Sequence, residues 1–184
     1  MADSSITKKA LASSLKELMK EQSFSSISVA NISERCNMNR KSFYYHFKDK
    51  YELVNWIFDT EFISVISSEE NPVGWEIITR LAEYLYQNHD FYRAAIRIEG
   101  QNSFREHFHE VVAAMLEHEM KRRFAKSVLN EFQLMFLADG FTCAFMRWLN
   151  QKSCVPAEIF LRDTQDLIEK LAIRAYKDIE EKKA

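Results

Sequence analysis

Residues 39–50 read NRKSFYYHFKDK, which sets two tyrosines, a histidine and four basic side chains among two phenylalanines. Side chains of these types donate hydrogen bonds to phosphate oxygens, sugars and base edges, and tyrosine rings add contact to sugars or thymine methyls. On a helical wheel at about 100° per residue, Phe47 falls about 40° from Phe43, so the two rings share a face. Lys41 and Tyr45 lie opposite them, Arg40 and Tyr44 flank one side, and Ser42 and His46 flank the other. The segment is a two-ring anchor under a broad face of donors. A solvated helix with incidental tyrosines fits the same wheel, so the neighbouring elements must decide.

Those elements are legible. Residues 6–20 place Leu11, Leu15, Leu18 and Met19 at helical spacing, and Phe24 and Ile27 follow as residues suited to pack back on the core. Ser28 is suited to cap a short helix, Val29 to Cys36. Asn37 enters left-handed geometry at low cost and can close that helix, and Asn39 can cap the next one, to about Phe47. A longer first helix followed by two short ones across a three-residue turn is a three-helix DNA-reading unit.

Beyond it, a helix restarts near Lys50 and runs to about Ile66. The stretch SSEENPVG is a boundary, where Asn71 and Pro72 read as an N-cap and a first helical residue. Further helices are expected through 75–89, through 90–98 with a stop at Gly100, over 103–125 with Phe104, Phe108, Val111, Val112, Met115 and Leu116 on the apolar side, and over 128–151 and 156–180.

Composition agrees. The chain has 184 residues, 47% of them hydrophobic and 28% charged, and its 3 Gly and 2 Pro are too few for a sheet protein rich in tight turns. Three scattered cysteines without metal-ligand spacing read as reduced thiols. No charged-then-apolar leader opens the chain, and its most apolar run, Leu134 to Leu149, is too short for a bilayer, so a cytoplasmic protein without a membrane partner is expected. Net charge is −2, but residues 1–53 hold 9 Lys/Arg against 6 Asp/Glu, a basic head on an acidic body.

The run ISVANISERCNMNRKSFYYHFKDKYEL resembles the DNA-binding head of the TetR family of bacterial transcriptional regulators, through Ser28, Ile32, Asn39, Phe43, Tyr44, His46, Phe47, Lys50 and Leu53. The resemblance implies an all-α homodimer on a palindromic operator. Residues 1–48 would form the head and residues 49–184 a body for effector sensing and dimerisation, with about nine helices in total. It implies that Ser28 and Lys50 touch phosphates, that Arg40, Lys41 and Tyr44 face bases, and that Tyr45 and His46 hold the backbone, with Asn39 and Ser42 at the start of the recognition helix. Two positions depart from the family pattern: Asn37 stands where Gly is usual, and Lys41 where a small residue is frequent. Fainter similarity, in ISVANIS, VNWIF, Trp75 and FYRAAIRIEGQNSF, links the chain to a subgroup that includes dihydroxyacetone-kinase operon activators. In that subgroup a partner protein can supply the signal, so a coactivator whose DNA binding depends on such a complex is the alternative.

Other clusters carry less. His107 and His109 are about 200° apart on a helix and cannot chelate together. With no Gly-rich phosphate loop and no nucleophile–base pair, neither a cofactor nor an enzyme is expected. Arg93 and Arg97, one turn apart, suit an anion or an ion pair with Glu99. Trp75, Tyr84, Phe91, Tyr92, Phe104, Phe108, Phe136 and Phe141 are core residues or, with Arg93, the lining of an effector cavity. Gly140 inside an apolar helix suggests close helix approach or a distortion at a pocket. Phe145, Trp148, Leu149, Leu167, Ile168, Leu171 and Ile173 form the natural dimer surface, part of which suits intrachain core instead.

Overall fold

The computed structural model describes residues 2–68, 74–98, 103–123 and 129–181. Leu11, Leu15 and Leu18 fall one helical turn apart, and α1 (Ala2–Glu21) buries all three. A 3₁₀ turn (Phe24–Ser26) leads to α2 (Val29–Arg35) and α3 (Arg40–His46), which pack on α1 through Ile32 and Phe43, both 0% exposed. Asp49 caps α4 (Lys50–Phe58) by accepting from the N–H groups of Tyr51 and Glu52 at 2.9 and 2.8 Å.

Where the hydrophobic pattern predicts an unbroken helix, a π turn (Asp59–Ile63) separates α4 from α5 (Ser64–Ser68). The Asp59 carbonyl accepts the Ser64 N–H, the wider bond of a π turn, and also the Ser64 hydroxyl at 2.9 Å. The body continues with α6 (Trp75–Gln87), α7 (His89–Ala95), α8 (Phe104–Arg123), α9 (Glu131–Asn150) and α10 (Ala157–Glu181). Counting 50–68 as one helix with a π turn in it, the described residues form nine helices and no strand. None of these helices is long and apolar enough to cross a membrane.

Asn71, Pro72, Glu99, Gly100, Ala125 and Val128 lie outside the described residues, so the cap, stop and ends expected there do; the described part of α6 opens at Trp75, after Gly74 at φ 65°.

Head and body share one cluster of buried residues, from Leu11 to Leu161. Its centre in the body is Phe58. The rings of Phe62, Tyr84, Tyr92, Phe104 and Phe108 surround it with centroids 5.4–6.3 Å away. Lower down, Trp148 stacks between Phe160 (4.5 Å) and Tyr86 (6.1 Å) and donates its indole N–H to the Val155 carbonyl at 2.8 Å. That stack docks the start of α10 on α9.

Candidate nucleic-acid interface

The turn between α2 and α3 is built from local hydrogen bonds. Ser28 Oγ accepts from the Asn31 N–H at 3.2 Å, and Asn31 Oδ1 accepts from the Ser28 N–H at 2.9 Å, a reciprocal cap. At the far end of α2, the Met38 N–H donates to the Ser33 carbonyl at 2.8 Å and the Asn37 N–H to the Glu34 carbonyl at 3.0 Å. This is a Schellman closure, and Asn37 takes the left-handed position at φ 55°. Asn39 Oδ1 then caps α3 by accepting from the Ser42 N–H at 2.9 Å.

The anchor sits as the wheel requires. Phe43 and Phe47 are buried with centroids 5.8 Å apart, and Phe47 meets Trp56 of α4 edge-on at 5.6 Å. Opposite them Arg40 and Lys41 are exposed, Tyr44 is 58% and Tyr45 83% exposed, and the half-buried His46 ring stands edge-on to Tyr45 at 4.9 Å. Tyr44 meets the Phe43 ring edge-on at 5.6 Å, yet most of both tyrosines stays in solvent on the outer face of a seven-residue helix.

The polar residues divide by what already holds them. Ser28 gives its one hydroxyl hydrogen to Asn31 Oδ1 at 2.7 Å, and Ser42 gives its own to Asn39 Oδ1 at 3.2 Å. Either serine must exchange that partner before it can donate to a phosphate oxygen. Lys50 differs most from the expectation of a phosphate contact. Its ammonium donates to the Phe24 and Ile27 carbonyls at 2.7 and 2.6 Å and sits 4.3 Å over the Phe24 ring. Burial pushes its pKa down from the usual lysine value. Arg35 is bound to Glu21 by two contacts, at 2.8 and 2.5 Å, a pairing that raises its pKa.

The head is tied to the body through the π turn. Lys16 of α1 donates to Glu61 at 2.6 Å, and Glu61 accepts from the Tyr84 hydroxyl at 3.0 Å. Tyr84 then has no hydrogen left for Tyr92, so the 2.7 Å contact between their hydroxyls is donated by Tyr92. On the other side of the π turn His107 Nε2 lies 2.7 Å from Asp59 Oδ1. His109 faces Asp139 instead, at 3.0 Å without hydrogen-bond geometry.

The nine residues expected to line an effector cavity do not surround one together among the described residues; Phe91 is half-buried, edge-on to Tyr92 at 5.0 Å. Tyr92, Phe104 and Phe108 are sealed in the ring cluster around Phe58 with the partly buried Tyr84. Phe136 is 67% exposed on the outside of α9. Trp75 and Phe141 are half-buried against the core, and Arg93, half-buried, has an Nε with no hydrogen-bond partner. Arg97 donates to Asn150 at 2.7 Å.

A cleft of about 590 Å³ lies elsewhere, between the π turn, α5, α6 and α8. Its walls carry Ile63, Ile66, Ile77, Val111 and Met115, with Asp59, His118 and Arg122 as polar groups. Sequence reasoning missed it. Ile63 and Ile66 are also partly buried against the core, as their positions in the sequence suggest, so nothing local marks them as cleft walls.

The expected dimer surface also divides. Phe145, Trp148 and Leu149 are intrachain core, at 1–2% exposure, because α9 turns that side onto α8, α7 and the start of α10. Leu167, Ile168, Leu171 and Ile173 are exposed on α10, as are Phe132 and Phe136 on α9. A Cβ added to Gly140 would meet nothing within 4 Å, so among the described residues no element makes the close approach expected there.

Family models match both parts of the chain. The one for "Bacterial regulatory proteins, tetR family" matches residues 13–57, and the one for "Transcriptional regulator C-terminal region" matches residues 75–170, more than half of the chain. A curated relative, the HTH-type dhaKLM operon transcriptional activator DhaS of Lactococcus lactis, is 34% identical over 94 residues, which is 50% of this chain and 50% of that one. The chain thus matches about half the length of that relative. Among solved structures, the dihydroxyacetone kinase operon activator DhaS aligns with a TM-score of 0.66 at 22% identity, covering 91% of this chain and 97% of that chain. A TetR transcriptional regulator from Streptococcus agalactiae aligns at 0.65 and 21%, covering 91% and 96%. At these identities the structures show a shared fold. With its helix-turn-helix head and both family matches, the chain belongs to the tetR family of bacterial regulatory proteins and is a DNA-binding transcriptional regulator.

Proposed function

We propose that the chain works as a homodimer on a palindromic operator, with residues 1–48 as the head and residues 49–184 as the body. Arg40, Lys41 and Tyr44 read bases, while Tyr45 and His46 hold the backbone beside Ser28, Asn39 and Ser42. The observation that carries this reading is the outer face of α3, where cationic and phenolic donors stand exposed above two buried phenylalanines. Exposed apolar side chains on α9 and on α10, and the open space over Gly140 of α9, support a second copy as their cover. Two recognition helices in such a dimer enter successive major grooves about 34 Å apart.

A signal enters through the body by favouring one spacing of the heads, which requires different affinities for the two states. The cleft beside the π turn suits an apolar ligand with one polar group, because its walls are mostly Ile, Val and Met around Asp59, His118 and Arg122. A second reading is a coactivator whose body docks a partner protein. The likeness to a named operon activator favours it.

The deciding experiment is binding of the purified protein to duplexes from its own upstream region across a salt series. Saturable binding to one fragment, with affinity falling as salt rises, fits the autonomous dimer. No binding at low salt would leave the coactivator, and sedimentation as a monomer at micromolar concentration would remove the homodimer.

A further inference from the structure

We infer that Lys50 is a positioning residue, which ties the start of α4 to the DNA-facing end of α2 instead of contacting phosphate. The inference rests on the reading that the head binds duplex DNA. An ammonium has three N–H donors, and two of these are given to the carbonyls of Phe24 and Ile27, residues 8% and 1% exposed. The Phe24 ring, held edge-on by Tyr51 at 5.2 Å, covers the same ammonium.

The Ile27 carbonyl belongs to the peptide unit whose N–H, on Ser28, donates to Asn31 Oδ1. That unit is therefore gripped at both ends, by α4 through its oxygen and by α2 through its nitrogen. Swinging Lys50 out to a phosphate leaves the Phe24 carbonyl with the Ile27 N–H at 3.2 Å but takes from the Ile27 carbonyl, at a residue 1% exposed, its charged donor, which costs more than a solvent-exposed ion pair returns. Kept in place, it makes the α2 N-terminus follow α4. The same helix runs into the π turn, where Asp59 forms part of the cleft wall.

The test compares the wild type with Lys50→Met in two measurements. In the DNA-free protein, amide hydrogen exchange at Ser28 and Asn31 should quicken by about tenfold in Lys50→Met, the equivalent of one charge-assisted hydrogen bond, and return towards wild type in Lys50→Arg. On an upstream duplex, affinity should fall by about tenfold, with the same loss at roughly 50 and 200 mM salt. Loss of a phosphate contact instead lowers the salt slope by about one, so the deficit would shrink about threefold over that range and overturn the inference. Unchanged exchange at both amides would overturn it as well. If the wild type binds no duplex, the DNA-binding reading fails while the exchange measurement still decides the role of Lys50. Should Lys50→Met not fold, Lys50→Gln, which keeps N–H donors without charge, decides by its salt slope: unchanged supports the inference, and lowered by about one overturns it.

Discussion

The hydroxyls of Tyr84 and Tyr92 lie 2.7 Å apart at the junction of α6 and α7, and Tyr84 passes its own hydrogen to Glu61, the partner of Lys16 in the head. A chain of polar contacts thus leaves the aromatic core and ends on the DNA-binding unit. Burial pushes both tyrosine pKa values above the ordinary 10.0, and nearby Glu61 adds to the shift.

Because the folded state holds these phenols neutral, their contribution is fully present below about pH 10 and is lost as pH rises towards the folded-state values. Denaturant unfolding should show stability falling more steeply above that pH in the wild type than in a Tyr84→Phe/Tyr92→Phe double variant. Parallel pH profiles would count against it. At neutral pH, Tyr92→Phe alone should cost about 1 kcal/mol.

Asn37 occupies a left-handed position at φ 55° that closes α2. Asn37→Ala should lower stability by about 1 kcal/mol, whereas Asn37→Gly should leave it unchanged or raise it slightly. Urea unfolding of both variants checks this. An Ala variant as stable as the Gly variant would show that the turn tolerates another backbone geometry.

Lys41 is exposed on the outer face of α3. Lys41→Ala should change which operator sequence is preferred, by about 1–3 kcal/mol at the affected base pair. Selection from a randomised duplex pool measures this shift. Equal losses on specific and random DNA would remove Lys41 from the base-reading set.

Phe136 and Leu171 are exposed while Phe145 is buried, so substitutions at these sites should separate assembly from folding. Phe136→Glu with Leu171→Glu should yield a monomer by sedimentation with secondary structure retained. Phe145→Ala should instead lose about 3–5 kcal/mol of folding stability. A Glu variant that stays dimeric moves the interface off this face.

How much was legible in the sequence follows the range of the interactions. Ser28, Asn37 and Asn39 act on backbone groups within five residues, and Phe43 and Phe47 share a face by helical period alone, so their roles could be read from one short stretch. An all-helical chain with a helix-turn-helix head follows from such local rules. The π turn does not, because an uninterrupted apolar pattern carries no mark of where the helix widens.

Long-range pairings belong to the tertiary structure. Lys50 finds Phe24 and Ile27 across 26 and 23 positions, and Lys16 finds Glu61 across 45. Whether a phenylalanine lines a cavity, fills a core or faces outward depends on which helix lies against it. Phe104, Phe108 and Phe136 are alike in the sequence, and only the packing of α8 and α9 around Phe58 separates the first two from the third. The donors of NRKSFYYHFKDK were visible from composition and spacing. Which of them remain free to meet DNA was decided by the fold, since a hydrogen bond spent on a distant carbonyl leaves no trace in the local sequence.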